Sequence, residues 1–302
     1  MFVTEYDVGP GAYGVAVDPD GAVWTTLVER GELVRLDPDG ARSRVRLDGG
    51  QGRPMVPVVG PDRAVWFSRG DGSIGRVDPS GSVSSVPVPT PDGSPYGLCA
   101  GPDGALWYTL LSADRIGRLA LDGTVDEFSL AAGSMPSLIT AGSDGALWFT
   151  LHRADAIGRM TTDGDVSTFR LPTVGAGPVG IHAGRDEVWF AEIGAGQVGR
   201  IDADGRIHEF PLPDRGSRPH AVATDDGGCW VTLWGSSSTV RLDARGQVVD
   251  EVVFRPGAEP HGVAVAVDGS VWVALEAGSL ARLTRQRIAV PAPATDLRVR
   301  SG

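Results

Sequence analysis

Two tripeptides in the last third of the chain carry residue types suited to chemistry. They are Arg218-Pro219-His220 and Glu259-Pro260-His261, with the histidines 41 residues apart. A neutral imidazole is a general base or hydrogen-bond donor near neutral pH. Proline before each histidine fixes the local backbone φ. Two acids accompany the second tripeptide: Glu259, two residues before His261, and Glu276, four residues after Trp272. Two carboxylates beside imidazole suit a hard divalent cation; Mg²⁺ takes oxygen ligands, often one or two carboxylates, and keeps waters. The bland alternative is that Glu259 and Glu276 pair with Arg218, Arg282 or solvent. No G-x-S-x-G segment occurs, so serine hydrolysis has no support.

A repeat must bring these residues together. Seven of the eight tryptophans stand at 24, 66, 107, 148, 189, 230 and 272, spaced by 42, 41, 41, 41, 41 and 42 residues. About ten residues after each comes a second signal, as in IGRVD at 74–78, IGRLA at 116–120, IGRMT at 157–161 and VGRID at 198–202. Each unit reads as four short strands joined by Asp-Gly turns, a strong hairpin signal. Such a period fits a β-propeller blade. The fold expected is all-β: a seven-bladed β-propeller with four-stranded blades, one domain over 1–302, with an irregular tail from about 286. The N-terminal FVTEYDVGPG is similar to the fourth-strand segment IHEFPLPDRG at 207–216. Residues 2–8 are therefore expected to supply the outer strand of the last blade and close the ring.

In a propeller the turn before each innermost strand faces one mouth of the central channel. Aligned by distance to the tryptophan, one position reads Tyr13, Met55, Tyr96, Ser137, Val179, His220 and His261. Its two histidines fall on consecutive blades, with Tyr13 next across the closure. A concave end with a few polar groups among apolar ones is a usual ligand site. His152 is expected to face the channel, His182 to be packed and His208 to face solvent. Glu192 either lines the channel or binds Arg200 and receives no role.

Composition narrows the partners. The net charge is −11, all 27 basic residues are arginine, and no arginine run forms a basic face, so no nucleic-acid partner is expected. No apolar run approaches the roughly 20 residues needed to span a bilayer, so no membrane partner is expected either. The start MFVTEYDVGPG has neither the basic segment nor the apolar stretch of a signal peptide, which points to the cytoplasm. Cys99 and Cys229 lack metal spacing and read as buried, reduced thiols.

The chain resembles the virginiamycin B lyases, also called streptogramin B lyases, over nearly its whole length. GAYGV (11–15), RPHAV (218–222), AEPHGV (258–263) and the late glutamate of WVALEAG (272–278) carry the resemblance. It implies a monomeric seven-bladed propeller that linearises cyclic depsipeptide antibiotics and so gives resistance. It implies His261 as general base, His220 as a substrate contact near the ester, Tyr13 as an aromatic residue of the pocket, and Glu259 and Glu276 as ligands of Mg²⁺. The reaction implied is elimination: a base removes the threonine α-proton and the ester carboxylate leaves from the β-carbon. The family's W-F-T-E becomes WTTL, WFSR, WYTL, WFTL, WFAE and WVTL here, which alters the channel wall. A metal-dependent lactonase and a non-catalytic peptide-binding propeller are the competing readings of the same scaffold.

Overall fold

Alternating apolar residues between Asp-Gly turns produce short antiparallel strands, and the computed structural model describes them for residues 1–47 and 52–285. The tail from 286 lies outside the described residues. Among the described residues seven four-stranded sheets form the blades, six of them running in sequence order from the channel outwards. Blade 1 is Ala12–Val17, Val23–Leu27, Glu32–Leu36 and Arg42–Arg46. Blade 7 is Pro260–Val265, Val271–Leu275 and Ser279–Thr284, completed by Phe2–Asp7 at its outer edge. Phe2 pairs with Thr284 and Asp7 with Ser279, so the strand Phe2–Asp7 closes the ring as expected. Among the described residues no helix is long and apolar enough to cross a membrane.

The 41-residue signature has a physical origin, complete in blades 2 to 4. Trp107 is fully buried, and its indole N–H donates to Asp103 Oδ1 at 2.9 Å. Arg118, from the IGR segment, donates to Asp103 Oδ2 at 2.7 Å and stacks on the indole, 6.0 Å from its centroid. The same three-residue unit recurs at Asp62, Trp66 and Arg76 and at Asp144, Trp148 and Arg159. The glycine of IGR is steric. A Cβ at Gly117, Gly158 or Gly199 would strike the ring of Tyr108, Phe149 or Phe190 on the neighbouring strand. The core lies between blades: Trp272 packs with Val23, Val34 and Leu36 of blade 1, and Trp230 with Val271 and Val273 of blade 7.

A hydroxyl two residues after the tryptophan ties blades together near the channel. Thr26, Thr109, Thr150 and Thr232 donate to the carbonyls of Met55, Ser137, Val179 and His261 on the next blade, at 2.6, 2.6, 2.9 and 2.7 Å. Ser68, Ala191 and Ala274 stand at the other three boundaries.

Candidate active site

The mouth residues are aimed by one backbone device. Two positions before each of them stand Gly11, Arg53, Ser94, Met135, Gly177, Arg218 and Glu259, all with positive φ. A non-glycine residue held there costs on the order of 1 kcal/mol or more, and Glu259 (φ 51°) and Arg218 (φ 52°) both bear it. The left-handed turn is followed by proline in six blades. A register shift just beyond, as between Pro260 and Val263, turns the next side chain into the mouth.

Tyr13, His220 and His261 converge there. The His220 and His261 ring centroids are 4.8 Å apart and edge-on at 90°. Tyr13 lies 4.5 Å from His261 and 6.1 Å from His220. His261 Nε2 meets Glu276 Oε2 at 2.7 Å. Glu259 is tied to Glu276 through its own carbonyl, which accepts the Glu276 N–H at 3.1 Å. Burial pushes the His261 pKa down to about 4. His220 falls to about 3, through burial and then the charge of His261. Both imidazoles are therefore neutral at neutral pH. Burial, and after it the nearby Glu29 carboxylate, raises Glu276, while a hydrogen bond with the Glu259 side chain opposes the rise. Among the described residues the Nδ1 atoms of His220 and His261 have no partner.

The arginines do not neutralise these acids. Arg282 pairs with Asp268, and Arg218 lies over the Trp234 ring, 5.3 Å from its centroid. Glu259 and Glu276 are thus two carboxylates in an acidic corner with no cationic side chain paired to them among the described residues. That donor set fits a hard, water-keeping cation. Among the described residues no group of three or more His, Cys, Asp or Glu side chains is arranged to hold a metal, so these two carboxylates are what the chain would offer a cation, with water completing its shell.

Three other sequence expectations need correction or completion. His182 is not packed: the shift between Pro178 and Ile181 turns it into the channel, where Nδ1 contacts Thr224 Oγ1 at 2.8 Å. His152 lies against Gly177 at the rim of the mouth and is not among the residues lining the channel. Glu192 is fully buried and accepts from Gln197 at 2.7 Å, while Arg200 pairs with Glu187. His208 is exposed and both cysteines are free and buried, as expected. Sequence reasoning missed Glu29, whose approach to Glu276 crosses the ring closure. It also left Trp234 unexplained; this residue lies 6.3 Å from His261 and was visible only as the tryptophan outside the register.

Beneath the mouth the innermost strands enclose a cavity of about 420 Å³ walled largely by apolar residues, with Tyr13, Tyr96 and His220 at its top. The family description "Virginiamycin B lyase family" matches residues 1–283. The chain belongs to the virginiamycin B lyase family. The curated virginiamycin B lyase of Bordetella bronchiseptica is 44% identical over 61 residues, 19% of this chain and 20% of that protein. The match thus spans about a fifth of that relative's length. Among solved structures, virginiamycin B lyase from Staphylococcus aureus superposes with a TM-score of 0.88 at 36% identity, covering 93% of this chain and 98% of that one. A catalytically inactive histidine-to-alanine form of the S. aureus enzyme, with quinupristin, gives a TM-score of 0.89 at 36% identity over 93% and 98% of the two chains.

Proposed function

We propose that this chain linearises cyclic depsipeptides of the streptogramin B class by Mg²⁺-dependent elimination at the threonyl ester. The observation that carries the reading is the contact of His261 Nε2 with Glu276 Oε2 at 2.7 Å, at a mouth shared with His220 and Tyr13. The solved relative with quinupristin supports the substrate class.

Glu259 and Glu276 would hold the cation. When bound, Mg²⁺ supplies Lewis-acid stabilisation of charge on a carbonyl or ester oxygen. The rest falls to this chain's side chains. Burial keeps the His261 imidazole neutral, with its one proton on the Nε2 that faces the Glu276 carboxylate, so the unpartnered Nδ1 is the nitrogen that accepts the α-proton of the threonine residue. Glu276 Oε2 accepts from Nε2–H, which fixes that tautomer and stabilises the imidazolium that forms. The electron pair of the broken C–H bond forms a C=C bond, and the ester C–O bond breaks to release a carboxylate. His220 donates to the ester oxygen. Tyr13 packs on the base and forms the floor of the pocket. No water is consumed. Incubation of a streptogramin B antibiotic with the chain and Mg²⁺, followed by mass measurement, tests this: a linear product of unchanged mass is expected, and a gain of one water would overturn elimination.

A further inference from the structure

Tyr13 and Tyr96 join hydroxyl to hydroxyl at 2.5 Å, from blades 1 and 3, spanning the blade that carries Met55. Burial raises both phenols, so both are neutral and one O–H donates to the other. These two mouth residues also follow boundaries where no inter-blade threonine stands, since Ala274 precedes Tyr13 and Ser68 precedes Tyr96. The backbone tie that fixes Met55, Ser137, Val179 and His261 is thus replaced here by a bond between side chains. Below both rings lies the open cavity, which gives an untethered Tyr13 room to swing away from the imidazole.

We propose that Tyr96 is a positioning residue: its hydroxyl anchors Tyr13, and the anchored Tyr13 ring holds His261 with Nε2 toward Glu276. The catalytic consequence rests on the role proposed for His261. The 4.5 Å stacking of Tyr13 on His261, at an interplanar angle of 31°, is the link that transmits the anchor. Misplacing a reacting group by about an ångström can cost up to ~100-fold in rate, and a partial tilt is expected to cost less.

The test uses Tyr96→Phe, Tyr13→Phe and the double variant, which keep the rings and remove only oxygen. Each single variant is expected to lower kcat about 10-fold with KM within about twofold, and the double variant to be no slower than either single, as for groups acting as one unit. A second readout needs no turnover. The His261 Cε1–H proton resonance, identified by its absence in His261→Ala, lies in the ring current of Tyr13 and is expected to move in Tyr96→Phe. An unmoved resonance, a kcat within about twofold of wild type, or losses that multiply in the double variant would overturn the proposal. If the wild-type chain shows no turnover, the functional reading fails, while the resonance still decides whether Tyr96 holds His261.

Discussion

Thr232 of blade 6 holds the backbone of His261 in blade 7: its hydroxyl donates to the His261 carbonyl at 2.7 Å and accepts from the Ala221 N–H at 2.9 Å. One threonine thus links both histidine-bearing strands. Thr232→Val keeps the shape and orphans one buried donor and one acceptor. A loss of about 2 kcal/mol in stability is expected, read by urea unfolding. Turnover should fall alongside, because His261 loses its backbone tie.

His261→Ala should remove most turnover and leave the fold intact. Loss of a general base costs about 10²–10⁴-fold. Linearisation of the antibiotic followed by chromatography reads the rate, and circular dichroism the fold. A near-normal rate would remove His261 from the mechanism.

Chelation should abolish activity and added Mg²⁺ restore it. Glu276→Gln should weaken the response to Mg²⁺ and also disturb His261, which it touches. Glu259→Gln should weaken the metal response alone. Activity titrated against Mg²⁺ concentration separates the two.

Glu192 makes a pH-dependent prediction away from the mouth. It replaces the leucine usual three residues after the blade tryptophan, and its Oε1 has no partner among the described residues. Burial raises its pKa to about 7; Gln197 and Arg215 oppose the rise, and Glu209 and Asp155 add to it. Below the unfolded value of ~4.5 both states bind the proton. Between there and about 7 only the folded state binds it, so stability falls as pH rises through this window and stays low above it. Glu192→Gln lacks this loss. Its advantage over wild type should open between pH ~5 and ~7, reach at most about 3 kcal/mol, and vanish in acid, as read by denaturant midpoints at several pH values.

The blades were legible because their markers are mutually dependent. In blades 2 to 4 the buried indole and the arginine share the turn aspartate, and an aromatic ring beside the tryptophan admits only glycine opposite it. The mouth was legible because Tyr13, His220 and His261 occupy one position of that repeat. What escaped depends on the third dimension or on small departures from regular strands. Glu29 reaches Glu276 only because the ring closes, and the strand shift at Pro178 turns His182 from packed to channel-facing. The sequence leaves Glu192 open between lining the channel and binding Arg200; the structure buries it against Gln197, and Arg200 is taken by Glu187. The Tyr13–Tyr96 bond joins blades that are not neighbours, which no local pattern encodes.

The central claim is that the ester opens without water. Running the reaction in water enriched in heavy oxygen tests it most directly. The account predicts a linear product with no heavy oxygen; one atom of label in the new carboxylate would contradict it.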